Sequence, residues 1–207
     1  GGFFTTAGGV TVNSIAKWDG TNWSSLGSGL TSTNPNAGCI ELEIDNQGDL
    51  YASGRFDNAG GVGANNIAKW DGSSWSALGS GLGSGLTAYA TKIIFNTGGN
   101  LVAIGFFTTA GGIAANRVAM WNGNTWSAMG NGFLGSAQAL GMAANGDIYA
   151  TGRLNTIANG LQLAKWNGTS WDSVASTNGV CYDMVFDRQD GMFIGGRFSQ
   201  VNGVSRS

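Results

Sequence analysis

The run Ile67-Ala68-Lys69-Trp70-Asp71-Gly72-Ser73-Ser74-Trp75-Ser76-Ala77-Leu78-Gly79 recurs in close copies four times, and the copies hold every tryptophan in the chain. The pairs are Trp18/Trp23, Trp70/Trp75, Trp121/Trp126 and Trp166/Trp171. In each, the first Trp is followed by Asp or Asn and then Gly, two small polar residues intervene, and the second Trp leads into Ser or Asp. This pattern predicts a β-hairpin with a tight turn. Whether the loop is Asp71-Gly72 or runs from Asp71 to Ser74, the strand period of two puts both indoles on one face. Each ring buries roughly 150–250 Å² when covered, more than an isolated hairpin supplies. The motif therefore demands neighbours, and repetition provides them.

The spacings from Trp18 to Trp70 to Trp121 to Trp166 are 52, 51 and 45 residues. A second motif keeps step with the first. Gly2-Phe3-Phe4-Thr5-Thr6-Ala7-Gly8-Gly9 returns at Gly54 to Gly61, Gly105 to Gly112, Gly152 to Gly160 and Gly196 to Gly203. Periods of about 40–50 residues are those of propeller blades. One unit divides into four strand-like runs: Cys39 to Ile44 with alternate apolar positions, Leu50 to Phe56, Asn66 to Trp70, and Trp75 to Leu78. Turns rich in Asp, Asn and Gly separate the first two runs, at Asp45 to Asp49, Asn96 to Asn100, Ala143 to Asp147 and Asp187 to Gly191. The glycine recurring within the second run predicts close approach of another backbone or of a bulky ring, here an indole. Eleven positions separate Phe56 from Ile67 and Phe107 from Val118, against two fewer between Leu154 and Leu163. The connection from fourth to next first strand varies most, so binding is expected to lodge there.

The expected fold is all-β: a β-propeller of four-stranded antiparallel blades. Its parts are a partial blade at 1–38, blades at 39–89, 90–136 and 137–180, and a partial blade at 181–207. Gly2-Phe3-Phe4 and Gly196-Arg197-Phe198 represent the same strand, which disfavours a self-closed four-bladed ring and predicts an arc of a larger propeller. The chain opens in mid-motif with neither an initiator Met nor a signal peptide, as a window cut from something longer does.

Composition narrows the function. With 37 glycines, one proline and no histidine, the chain lacks the residues for a Ser-His-Asp or Cys-His apparatus and for the usual Cys/His zinc site. Net charge is −2, and basic residues are scattered singly from Lys17 to Arg206, which argues against nucleic acid as a partner. No stretch approaches the roughly 20 apolar residues of a membrane span. Richness in Asn, Thr and Ser with few charges suits a secreted or surface-displayed protein.

Candidate sites each carry a plainer reading. Glu41, Glu43, Asp45, Asp49, Asp187 and Asp190 offer paired-carboxylate glycosidase chemistry, but Asp and Asn favour repeat turns by bonding their own backbone. Asp45 to Asp49 lacks the spaced acidic series of a calcium loop. The tryptophans offer sugar-stacking platforms, yet four equivalent pairs read better as inter-blade core. Arg55, Arg153 and Arg197 share one repeat position, taken by Phe106 in another copy; each stem is expected over an aromatic neighbour rather than in an anion site. Cys39 and Cys181 also share a position, matched by Ala90 and Ala137, so packing accounts for them and a disulfide is not expected. Asn22-Trp23-Ser24 and Asn167-Gly168-Thr169 match the glycosylation sequon at expected hairpin tips, which matters in a eukaryotic source. No catalytic residue, metal or cofactor is assigned.

The run Asn65 to Gly79, together with Gly105-Phe106-Phe107-Thr108-Thr109-Ala110-Gly111-Gly112, resembles repeats of large secreted or surface-anchored bacterial proteins. It is similar also to the extracellular repeats of fungal Rax2-like cortical polarity markers. The resemblance spans essentially the whole chain and implies a propeller scaffold. The leading expectation is a non-enzymatic extracellular module for adhesion, assembly or surface architecture, with other proteins, surface glycans or the remainder of its own longer chain as partners. A carbohydrate-binding propeller is the alternative, and a non-catalytic part of a larger secreted enzyme a second one.

Overall fold

Short apolar-alternating runs separated by Gly, Asn and Asp turns fold here as an antiparallel meander, repeated along the chain. The computed structural model describes residues 1–33, 35–83, 87–154 and 163–205. Among these there is no helix, hence none long and apolar enough to cross a membrane. Three sheets have four strands each, neighbouring in chain order. The first contains Gly38–Ile44, Leu50–Arg55, Ile67–Trp70 and Trp75–Ala77. The second contains Tyr89–Phe95, Leu101–Phe106, Val118–Trp121 and Trp126–Ala128. The third contains Ala137–Met142, Ile148–Gly152, Leu163–Trp166 and Trp171–Ala175. A hairpin of Ala16–Trp18 and Trp23–Ser25 precedes them, and a hairpin of Val180–Phe186 and Met192–Arg197 follows.

The turn between first and second strands is built by one side chain. Asp45 Oδ1 accepts the backbone N–H groups of Gln47 and Asp49, both at 2.9 Å. Asn96 does the same for Gly98 and Asn100, and Asp187 for Gln189 and Gly191. These carboxylates and amides thus serve the local bonding that makes Asx residues good turn formers.

The strict alternation expected of the first strand is broken by a β-bulge. The register shifts between Cys39 and Glu41, between Ala90 and Lys92, between Ala137 and Ala139, and between Cys181 and Asp183. The extra residue turns Cys39 into the same apolar cluster as Leu42. It also explains the recurring glycine of the second strand, and corrects the expectation of an indole there. A Cβ at Gly54, Gly105, Gly152 or Gly196 would strike the carbonyl oxygen of Gly38, Tyr89, Ser136 or Val180, each at the start of the bulged strand alongside or, for Ser136, just before it.

The eleven-position loop carries structure of its own. Asn58–Ala59 pairs with Val62–Gly63, and Thr109–Ala110 with Ile113–Ala114. Gly60 and Gly61 at the first tip have φ of +60° and +85°, the left-handed pair that a two-residue hairpin turn requires. The shorter loop expected between Leu154 and Leu163, and with it Gly160, lies outside the described residues.

The core lies between successive sheets. One cluster joins Tyr51 and Ile67 of the first full sheet to Ile93, Leu101 and Trp126 of the second. Another joins Val102 and Ile104 of the second to Leu140 and Ile148 of the third. Such stacking makes the structure a series of nearest-neighbour interfaces. The connections after the fourth strands contribute to it: Leu30, Leu82 and Phe133 are fully buried. Leu30–Thr31 adds to the ribbon of the next unit, pairing with Asn58–Ala59. The start of each variable connection is therefore a strap rather than a free loop.

Candidate functional site

The repeated hairpin is the best-defined chemical feature of the chain. Its two tryptophans are directly opposed across the strands in all four copies: Trp18 with Trp23, Trp70 with Trp75, Trp121 with Trp126, and Trp166 with Trp171. The loop is the four-residue alternative, closed by Asp71 N–H donating to Ser74 O at 3.1 Å. Asp71 Oδ1 accepts the N–H groups of Ser73 and Ser74, each at 2.8 Å. Asp19, Asn122 and Asn167 repeat that arrangement. The bonds from Ser74 and Ser73 hold the Asp71 carboxyl well below the usual carboxylate range. Ring centroids within the Trp70 and Trp121 pairs are 5.5 Å apart, in tilted geometry.

The two rings have different tasks. The second reaches back to the preceding repeat: Trp75 Nε1–H donates to Leu26 O and Trp126 Nε1–H to Leu78 O, both at 2.8 Å, and Trp171 Nε1–H to Met129 O at 3.2 Å. The residue after each acceptor is Gly27, Gly79 or Gly130, with φ of +58°, +61° and +60°. These glycines lie under the next repeat's rings: a Cβ on Gly79 would sit 3.5 Å from Trp121 and 3.7 Å from Trp126. Within the hairpin's own unit, the ribbon glycine closes the other side, since a Cβ on Gly60 or Gly111 would approach the second Trp to 2.6 or 2.8 Å. Trp75 and Trp126 are thus each clasped between a glycine of their own ribbon and an aliphatic-glycine turn of the repeat before. The pairing of the rings is visible in the sequence. The acceptor is not, although the Leu-Gly or Met-Gly following three of the four copies marks it.

Exposure follows from this serial arrangement. Trp75 and Trp126 are 5% and 6% exposed, whereas Trp18 and Trp23 are 49% and 40% exposed, with no aliphatic-glycine turn on them among the described residues.

Charged residues are spent in pairs. Lys92 Nζ lies 2.5 Å from Glu41 Oε1 of the preceding sheet. Lys69 Nζ lies 2.6 Å from Asp49 and 3.9 Å from Asp45, above the ring of Tyr51. Lys165 repeats this with Asp147 and Tyr149. Burial pushes the Glu43 carboxyl up, against the pull of Lys92. Asp190 Oδ1 accepts the Ala144 N–H at 2.6 Å, tying the last hairpin to the sheet before it. The Arg55 guanidinium lies over Tyr89 of the next sheet at 4.7 Å, so its head meets the aromatic neighbour expected for its stem; Arg153 and Arg197 are exposed, and Phe106 packs on the same Tyr89 at 5.2 Å. Among the described residues, no three His, Cys, Asp or Glu side chains gather as metal ligands would.

Cys39 and Cys181 are buried free thiols. Burial raises the Cys39 thiol to about 11, and burial raises Cys181 as well. Asn22 and Asn167 are exposed at hairpin tips. The Asn167 amide is engaged, donating to Ser170 Oγ at 3.0 Å and Asp172 Oδ2 at 2.9 Å. No protein-family model and no curated protein matches the chain.

Proposed function

We propose that this chain is an arc of a non-enzymatic, extracellular β-propeller serving adhesion, assembly or surface architecture. The observation that carries the reading is the serial clasp of tryptophans: the second indoles join one repeat to the next, and the paired charges lie within a sheet, as Lys69–Asp49 and Lys165–Asp147 do, or between neighbouring sheets, as Lys92–Glu41 does, rather than converge on a cleft. The first strands of successive sheets lie side by side, with Thr91 Oγ–H donating to Ala137 O at 3.1 Å from one sheet to the next. Four-stranded meanders set in this way are what radial blades are made of. The resemblance to repeats of secreted and surface-anchored bacterial proteins supports the extracellular location.

The test has two parts. Electron microscopy of the chain is expected to show sheets fanned about a common axis; a straight stack would overturn the propeller. A panel of glycoside, ester and phosphate substrates is expected to show no turnover, and hydrolysis abolished by Asp49→Asn would overturn the scaffold reading. Carbohydrate binding stays as a second reading because Trp18 and Trp23 are open, and a glycan array decides it.

A further inference from the structure

The exposed Trp18/Trp23 pair is chemically the same site that is filled at Trp70/Trp75, Trp121/Trp126 and Trp166/Trp171. Its own-unit half is already assembled: a Cβ on Gly8 would strike the Trp23 ring, as one on Gly60 approaches Trp75. The rings are 5.3 Å apart, against 5.5 Å at Trp70 and Trp75. What the site lacks is an acceptor carbonyl for the Trp23 indole N–H and a glycine surface for the two rings. Three times over, the chain supplies these with one element, an aliphatic residue followed by a left-handed glycine: Leu26-Gly27, Leu78-Gly79 and Met129-Gly130. From these we infer that the Trp18/Trp23 edge is a docking surface for the aliphatic-glycine turn of another repeat of the same kind.

The chain's own last unit is a poor donor for that turn. After Trp171 it carries Val174-Ala175-Ser176, with no glycine and no left-handed residue. The segment that follows is already committed, because Thr177 bridges to Val201 and Asn202 N–H donates to Ser176 O. Association of one copy's tail with another's head is thereby disfavoured. The inference rests on contacts between neighbouring repeats and does not require that the array close into a ring.

The test is an in-phase duplication. Gly2 and Gly54 share a repeat position, so a second copy of residues 1–52 placed ahead of Gly1 continues as Ala52 continues into Ser53. Indole N–H exchange is followed by NMR in the chain as it stands and in the extended chain, with Trp23→Phe assigning the signal. The Trp23 indole of the original segment is expected to exchange at least about tenfold more slowly once the added Leu26-Gly27 is present. Gly27→Val in the added copy is expected to return it to fast exchange while Trp75 and Trp126 stay protected. Unchanged exchange at Trp23 overturns the inference, as does loss of protection at Trp75 and Trp126 on duplication, since a properly docked repeat leaves them undisturbed. Saturable shifts of the Trp18 and Trp23 signals on adding chitohexaose or cellohexaose to the original chain would instead make the edge a sugar platform. These readouts separate from the scaffold reading, which a failed docking would leave standing.

Discussion

Trp126 donates its indole N–H to the carbonyl of Leu78, 48 residues earlier, and both residues are almost wholly buried. Donor and acceptor are out of reach of water, so each would be left unsatisfied without the other. Trp126→Phe keeps most of the ring but orphans the Leu78 carbonyl, and is expected to cost about 1–3 kcal/mol. Trp126→Ala also empties the clasp and is expected to cost about 3–5 kcal/mol. Trp23→Ala, at the open edge, loses the pair with Trp18 but no buried hydrogen bond, and is expected to cost only about 0.5–1.5 kcal/mol. Urea unfolding of the three variants checks the order; equal losses at Trp23 and Trp126 would sink the clasp as the source of stability.

Adjacent glycines give a cleaner contrast. Gly60 and Gly61 both have positive φ, so alanine at either carries a backbone cost of roughly 1–2 kcal/mol. Only at Gly60 does the added Cβ meet an indole, 2.6 Å from Trp75 Cδ1, while Gly61 faces open space. Gly60→Ala is therefore expected to destabilise by about 1–3 kcal/mol more than Gly61→Ala, the usual range for overpacking. Paired thermal unfolding measures the difference, and no difference would mean that the ribbon is free to move off the ring.

These contrasts mark where the sequence was readable. Side-chain parity alone puts Trp70 and Trp75 on one face for any even loop, and the structure has them directly opposed. The strand pattern of a unit was equally legible, because alternation and turn residues are local signals. The bulge at Ile40 was not: one extra residue leaves the apolar pattern of Cys39 to Ile44 looking regular while moving Cys39 to the face of Leu42. Nor was the partner of the indole N–H, because a backbone carbonyl has no residue type to read. Glycine was ambiguous for a related reason. Gly54 avoids a neighbouring carbonyl and Gly60 avoids a ring, and both are written with the same letter.

Hairpin tips offer a pH test. Backbone and hydroxyl donors at Ser74 and Ser73 depress the Asp71 pKa. A carboxyl depressed on folding contributes stability that is fully present above its unfolded value, about 3.9, and is lost as pH falls through the folded value. Asn122 and Asn167 build the same turn with a group that does not titrate. Asp71→Asn should accordingly fold normally at pH 7 and show a shallower loss of stability below about pH 4 than the parent. Unfolding midpoints from pH 5 to 2 check this; parallel curves would show that the tip does not couple to folding.

Cys39 gives the opposite sign. Burial favours its neutral thiol and lifts the pKa to about 11. That stability is fully present below the unfolded thiol's value, about 8.5, and is lost as pH rises from there toward the folded value. Buried and held as the neutral thiol, Cys39 should be labelled by an aromatic disulfide reagent at pH 8 only at the rate of opening. Ala90 and Ala137 occupy the same repeat position in other units, and Cys39→Ala should remove the alkaline loss at a cost of about 1 kcal/mol in packing. Labelling at pH 8 that keeps pace with a free thiol, in a chain whose Trp75 remains protected, would contradict a sealed first strand. It would place the opening at the Gly1 side of the sheet, where Cys39 N–H donates to Gly2 O at 3.0 Å and the Gly1 backbone lies against the thiol.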